Sequence, residues 1–550
     1  MPPTREFAQL AQSEFDLAII GGGMIGTGVA RDAAMRGLTT ILFEKEDFCY
    51  GTSSRSSRII HGGLRYLANY DFGLVREGLR EREILLRIAP HLVRPLKFLI
   101  PVYGNFLQKL KLKTGMILYD LLSYDKSLPN HKYKDKREVL KTEPLLADNR
   151  LRGAYVYYDC QIALTERLCL ENVVSARAHG AALLNHAKVV GLRKNNSAVS
   201  GVRVEDVLSG EIAEFRSKLV VNVGGPWLDE VVRDVRRMKA PLARTTKGIH
   251  LVTPKLTNDA LALFASDGRT YFVIPWIGFS LVGTTDTDYE QDMDAVRAEV
   301  DDVEYLRAEA QRAFPRAPWD RIFYTIAGVR SLLRVEGVKE SSVTRRHVIY
   351  DHDEKERVRG LISIIGGKLT AYRGIAEDIV DAACKKLGNH SACTTAIERL
   401  PGADSVELER VRAGMDLIAS EYGVGTEELQ HLVSLYGSRY KEVLNYVKND
   451  ERLGGRVCET NFDILAEVVH AVERESALTL SDFMLRRSLI GFRQCEGLDC
   501  SDTVARKMGE ILGWSDAQVS TQIRAYEKEI AVRHEYDREA VILKKILNVR

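Results

Sequence analysis

Short apolar runs alternate with polar stretches of helix length through roughly the first 400 residues, and the rhythm changes after them. Asp16-Leu-Ala-Ile-Ile20 and Thr39-Thr-Ile-Leu-Phe-Glu44 have the length and composition of buried strands. Between them lie a glycine-rich turn and Met24 to Arg36, enough chain for one crossover helix. That is a β-α-β unit, so the spacing predicts a parallel strand pair with a right-handed crossover. Further strand-like runs recur at Lys218 to Val223, Tyr271 to Pro275, Phe279 to Gly283 and Leu361 to Ile365. From about Leu400 the period becomes helical. Leu465, Val468, Val469 and Val472 follow i, i+3, i+4, i+7 spacing, and Ser515-Asp-Ala-Gln518 is a capping box before a stripe of Val519, Ile523, Tyr526 and Ile530. Pro401-Gly-Ala-Asp404 is the expected linker. The pattern predicts an α/β class: a nucleotide-binding Rossmann-like domain interleaved with a β-sheet substrate domain, then an all-helical C-terminal domain.

The first turn carries chemistry. Gly21-Gly-Gly23-Met-Ile-Gly26 places G-x-G-x-x-G directly after a strand and before a helix. Gly21 permits the tight turn, Gly23 lets the backbone approach a pyrophosphate, and Gly26 lets helix and strand pack closely. The helix N-terminus adds unpaired N–H groups and partial positive charge. Glu44 closes the second strand, where an acid accepts hydrogen bonds from a ribose and disfavours a 2′-phosphate. This turn alone does not separate FAD from NAD. Other segments do. Thr52-Ser-Ser-Arg-Ser-Ser-Arg58 leads into His61-Gly-Gly63-Leu-Arg-Tyr66, Gly224-Gly225-Pro226-Trp227 closes one strand, and Gly366-Gly367-Lys368-Leu-Thr370 closes another. Glycine junctions spread this widely suit an extended cofactor touched by several parts of the fold, which favours FAD.

Composition narrows the partners. The 550 residues exceed one compact core, and 45% hydrophobic with 28% charged residues is ordinary globular usage. Lys+Arg 78 against Asp+Glu 76 gives a net charge of +2, which provides no reason to expect nucleic acid. Eight Cys without a C-x-x-C pair argue against a disulfide framework or structural zinc site. Cys495 and Cys500 read as two ordinary thiols. No apolar run reaches the ~20 residues of a membrane span. Met1 to Glu14 does not read as a secretory signal, so the cytoplasm is the default compartment. Between Glu83 and Asp120 there is no acid, while Arg87, Arg94, Lys97, Lys109, Lys111 and Lys113 alternate with apolar residues. A basic amphipathic surface of that kind suits an anionic membrane face.

Asp16 to Glu44, Thr52 to Tyr66, Asn222-Val-Gly-Gly-Pro-Trp227, Lys247-Gly-Ile-His250, Gly283-Thr-Thr-Asp286, Ala327-Gly-Val-Arg330 and Gly366 to Arg373 together resemble the FAD-dependent, quinone-linked glycerol-3-phosphate dehydrogenase family. The resemblance covers essentially the whole chain. It implies the D-amino-acid-oxidase-like flavoprotein fold, with FAD parts at about 1–90, 150–235 and 345–398, substrate parts at about 91–149 and 236–344, and a helical domain over 399–550. It implies oxidation of sn-glycerol 3-phosphate to dihydroxyacetone phosphate by hydride transfer to FAD. It also implies a membrane quinone as acceptor, attachment to the inner face of the cell membrane, and leaves a homodimer open. Amine or amino-acid oxidation on the same fold, and a flavin-binding module without turnover, are the competing readings.

Residue by residue, the resemblance places Gly21, Gly23, Gly26, Glu44, Thr52, Ser53, Ser54, His61, Gly62, Gly63, Val189, Gly225, Gly367, Lys368, Leu369 and Thr370 at the cofactor. Arg330, Arg345 and Lys368 fall on the substrate phosphate, a group near −2 charge that needs a fork of cations. Tyr66 and Arg65 complete that pocket. Taking the hydroxyl proton suits a His with a pKa near neutral. His250 is the first candidate for that base, within the catalytic set His250, Arg330 and Lys368, and His61 is the second. This chain departs from the family in having Ser331 after Arg330, and Arg346-His347 after Arg345.

Overall fold

The computed structural model describes residues 7–68, 70–104, 106–195, 198–236, 240–334 and 346–536. Two sheets and a helical C-terminal region make up the fold. The first sheet has at its centre five parallel strands in the order Leu361–Ile365, Ile212–Asn222, Glu14–Ile20, Thr40–Phe43, Ala182–Leu184. The crossover helix Met24–Met35 joins the third and fourth of these, as the β-α-β spacing requires. It packs beside Thr165–Ala178 and Tyr372–Leu387 in one buried layer. Leu17, Ile19, Val29, Ala33, Leu42, Val173 and Ile379, all at 0% exposure, form its centre. Such near-continuous burial is what parallel strands covered by helices demand.

The second sheet is larger and mostly antiparallel. Ala243–Pro254 lies between Phe279–Gly283 and Tyr324–Leu333, and Val93–Val102 pairs along its full length with Gly153–Ile162. The register opposes His250 to Gly283 and Gly248 to Gly328. These pairings bring segments far apart in sequence to one wall beside the first sheet.

From Ser405 to Ala531 every regular element is helical among the described residues. Ser515 and Gln518 form the capping box reciprocally, and Val519, Tyr526 and Ile530 are buried below it. Two expectations change here. Pro401 to Asp404 is no solvated linker: Leu400 and Ala403 are buried, Gly402 N–H donates to Glu171 at 2.7 Å, and a Cβ on Gly402 would meet Tyr436 O at 2.6 Å. The junction is packed because buried ion pairs cross it. Arg167 meets Glu475 at 2.6 Å, with both side chains fully buried. The basic stretch from Glu83 to Asp120 is also not one surface, since it divides among the end of the helix Phe72–Ile88, which carries Arg87, the strand Val93–Val102 and the helix Phe106–Leu122. Lys97 pairs with Asp259 at 2.6 Å and Lys109 lies 3.8 Å from the centre of the Tyr133 ring, whereas Lys111 and Lys113 stay exposed.

Candidate active site

Strand Glu14–Ile20 runs into Gly21, whose φ of +108° is left-handed and whose added Cβ would stand 2.7 Å from Val223 O. A Cβ on Gly26 would overlap the Gly21 carbonyl oxygen, so helix and turn touch through backbone. Gly23 differs: a Cβ would meet only Ser53 Oγ, at 3.3 Å, and the residue faces a cavity. Met24 N–H, first in the helix, donates to Ser53 Oγ at 3.0 Å. Glu44 accepts from Gly22 N–H at 2.6 Å and from Glu46 N–H at 3.0 Å. Its carboxyl is lifted above the usual range by burial. Glu44 therefore holds the turn as well as facing the cavity.

That cavity has a volume of about 1810 Å³. Pockets for one small molecule fill roughly 300–1,000 Å³, so this one has room for a dinucleotide and a small substrate. Gly21, Gly23, Gly26, Glu44, Thr52 and Ser53 line one part, together with Val189 and Gly225. His61, Tyr66, Gly367, Lys368, Leu369 and Thr370 line another. Thr52 Oγ1 donates to Val329 O at 2.5 Å, which ties its loop to a strand of the second sheet, and Thr370 Oγ1 accepts from His61 N–H at 3.1 Å, which ties two of the glycine-bearing loops together. Gly225 and Gly367 have φ of +56° and +113°. Ser54, Gly62 and Gly63 do not reach the cavity lining. Ser54 Oγ donates to the Tyr50 and Gly51 carbonyls, and a Cβ on Gly62 would meet Leu79 and the Tyr119 hydroxyl at 2.6 Å. The crowding that the Gly62-Gly63 pair relieves is with protein.

His250, on strand Ala243–Pro254, is 2% exposed, and its Nε2 lies 2.8 Å from Ser57 Oγ. Opposite it, Gly283 leaves the space the imidazole fills, since a Cβ there would strike His250 Cδ2. Burial, then the charges of Arg330 and Arg58, push the His250 pKa down to about 3. The ring is therefore neutral throughout the physiological range. His61 is held well below the ordinary value by burial and by Lys368 and Arg82.

Arg330, on Tyr324–Leu333, donates to Thr284 Oγ1 at 2.8 Å, Asp286 at 3.1 Å and Thr285 O at 3.2 Å. Gly248 is the floor beneath it, for a Cβ there would collide with Arg330 Nη2. Lys368 Nζ donates to His61 O at 2.5 Å and lies 5.3 Å from the centre of the Tyr66 ring. Burial lowers its pKa to about 7 against the opposing pull of Asp159 and Glu77. His250, Arg330, Lys368 and Tyr66 thus share one cavity. Arg345 and the side chain of Arg65 lie outside the described residues. Sequence reading passed over Ser57 as a contact of His250, Thr284 as a holder of Arg330, and Gly248 as its floor. All three lie within motifs that the sequence shows, Thr52 to Arg58, Gly283-Thr-Thr-Asp286 and Lys247-Gly-Ile-His250, but their contacts depend on the pairing of strands.

The model of the family described as FAD dependent oxidoreductase matches residues 16–373, and that of the C-terminal domain of alpha-glycerophosphate oxidase matches 393–519. A glycerol-3-phosphate dehydrogenase of Synechocystis sp. is 41% identical over 95% of this chain and 98% of its own. The aerobic glycerol-3-phosphate dehydrogenase of Staphylococcus aureus is 34% identical over 95% and 94%. The crystal structure of the glycerol-3-phosphate dehydrogenase from Bacillus halodurans complexed with FAD superposes with a TM-score of 0.78, at 30% identity, covering 96% of each chain. The cavity fits that cofactor: besides its size and its open Gly23, it is lined by Trp227 and Ser331, whose Nε1 and Oγ are buried without a hydrogen-bond partner. With one family model spanning both sheets and full-length relatives at this identity, the chain belongs to the FAD-dependent oxidoreductases, among the glycerol-3-phosphate dehydrogenases, and its cofactor is FAD.

Proposed function

We propose that the protein oxidises sn-glycerol 3-phosphate to dihydroxyacetone phosphate and passes the electrons to a quinone at the inner face of the cell membrane. The observation that carries this reading is the meeting of two cations, Arg330 and Lys368, with a neutral imidazole, His250, in one cavity that begins at the dinucleotide turn. FAD bound along that turn supplies the hydride acceptor. Arg330 and Lys368 bind the phosphate dianion, with Tyr66 beside them in the cavity. Thr284 and Asp286 fix the guanidinium of Arg330 in advance, so little is lost in ordering it. His250 Nε2, oriented by Ser57 Oγ at 2.8 Å, takes the C2 hydroxyl proton. A dianion beside Arg330 cancels part of the field that depresses the imidazole, so the base strengthens when substrate is bound.

The helix Phe106–Leu122 supports the membrane half of the proposal. Leu107, Leu110, Ile117 and Leu121 are exposed on it, beside the exposed Lys111 and Lys113. Leu107 and Leu110 also line the cavity, so an apolar surface leads into the site. Among the described residues no helix is long and apolar enough to cross a membrane. An apolar face with lysines suits lying on anionic lipid.

The test is anaerobic mixing of the flavin-loaded protein with sn-glycerol 3-phosphate while flavin absorbance is followed. Rapid bleaching reversed by a soluble quinone analogue is expected. Fast reoxidation by oxygen with peroxide release would reassign the acceptor, and a flavin that stays oxidised would end the substrate reading.

A further inference from the structure

Outside the lining of the flavin cavity, among the C-terminal helices, three side chains of metal-ligand type converge. His431 lies on the helix Thr426–Tyr436, Glu467 on Leu465–Glu475, and Asp463 just before the latter. Asp463 and Glu467 are fully buried and His431 is 7% exposed. One donor atom from each falls within 4.8 Å of the other two. His431 Nε2 is 3.3 Å from an Asp463 oxygen and 3.3 Å from a Glu467 oxygen.

The hydrogen bonding does not close. Nε2 carries at most one proton, and it is directed at Glu467. Both Asp463 oxygens are then left without a hydrogen bond at zero exposure. Among the described residues no Lys or Arg forms an ion pair with either carboxylate. The Tyr436 hydroxyl and the Asn461 side-chain oxygen are also buried without partners in this region. Two buried carboxylates share one imidazole, so even with that ring charged one negative charge stays uncompensated in the core, which is costly, and the site calls for a cation of higher charge.

The distances point the same way. Charge-assisted N–H···O bonds close to about 2.7–2.9 Å, shorter than either contact here. Four-coordinate zinc with bonds of about 2.05 Å has ligand atoms about 3.3 Å apart. Glu467 is already oriented for ligation, because its other oxygen accepts Ile464 N–H at 2.9 Å.

We propose that His431 Nε2, Asp463 and Glu467 bind a divalent cation of the zinc class, which ties the helix Thr426–Tyr436 to Leu465–Glu475. Imidazole with two carboxylates is a zinc-type donor set, and water takes the fourth position. Binding releases the Nε2 proton to solvent and satisfies all three donors at once. The site is structural, since none of its residues lines the flavin cavity.

The test uses the full-length, flavin-loaded protein, stripped with chelator, incubated with zinc chloride, desalted and assayed for metal by mass spectrometry. About one zinc per chain is expected in the parent and about a tenth or less in Asp463→Asn. Melting gives an independent sign. Zinc should raise the parent's midpoint and leave the variant's unchanged, while without metal the variant should melt no lower than the parent, because the surplus negative charge of two carboxylates on one imidazole has been removed. Equal zinc in both proteins, no retained zinc in the parent, or a zinc-free variant melting well below the parent would each overturn the proposal. If Asp463→Asn loses its flavin, His431→Gln carries the metal readout, with about a tenth or less of the parent's zinc expected.

Discussion

Ser57 Oγ and His250 Nε2 lie 2.8 Å apart although 193 residues separate them in the chain. The contact joins the serine-rich loop behind the dinucleotide turn to a strand of the second sheet, and it sits where a proton would be taken. Replacing His250 by Gln should lower kcat by about 10²–10⁴, the range of one positioned acid–base group, with little change in KM. Ser57→Ala should cost less, since it orients the imidazole without replacing it. Anaerobic single-turnover bleaching separates the two; equal and small losses would remove His250 from the base role.

Gly248 and Arg330 make a second pair that can be tested. A side chain at Gly248 displaces the guanidinium, whose end can move, so Gly248→Ala should fold, retain flavin and raise the KM for sn-glycerol 3-phosphate. A loss of one charge-assisted contact predicts about tenfold or more. Combined with Arg330→Ala, the effects should not add, because both remove the same interaction.

Gly26 and Gly23 should behave differently. Gly26→Ala forces a clash between two backbone segments and should yield protein without flavin, whereas Gly23→Ala should fold and bind flavin more weakly. The flavin-to-protein absorbance ratio after desalting decides. A flavin-replete Gly26→Ala would contradict the tight turn.

Lys368 gives a pH signature. Its pKa of about 7 means it is charged below and neutral above that value, while a phosphate monoester is dianionic above about 6. Charge pairing is therefore lost as pH rises, and KM should climb from pH 7 upward, by up to about tenfold per unit, until the pKa of the bound form is reached. Lys368→Met should start with a higher KM and show no such climb.

Ile117 and Leu121 are exposed on the helix Phe106–Leu122 and do not line the cavity. Each buried aliphatic side chain is worth about 1.5–3 kcal/mol, so Ile117→Glu with Leu121→Glu should weaken sedimentation with anionic vesicles by well over tenfold. Turnover with a soluble acceptor should be unaffected. Unchanged vesicle binding would move the membrane face elsewhere.

The sequence alone determined the β-α-β unit, the glycine turn with Glu44, and the helical C-terminal region, because each is written in spacing over a few residues. Strand runs, the 3.6 period and the Ser515–Gln518 cap are local statements of the physics that forms them. The tertiary structure decided whatever depends on which strands meet. Register alone sets Gly283 against His250 and Gly248 beneath Arg330, and the cavity they border also draws on Gly21 and Gly367, over 300 residues apart. It also decided what composition misreads: Pro401 to Asp404 has linker residues but packs against Glu171 and His91, and the basic stretch after Glu83 divides among a helix end, a paired strand and an exposed helix. A residue's type restricts the contacts it can make, and only the packed chain selects among them, because burial and pairing energies belong to partners that the sequence does not place side by side.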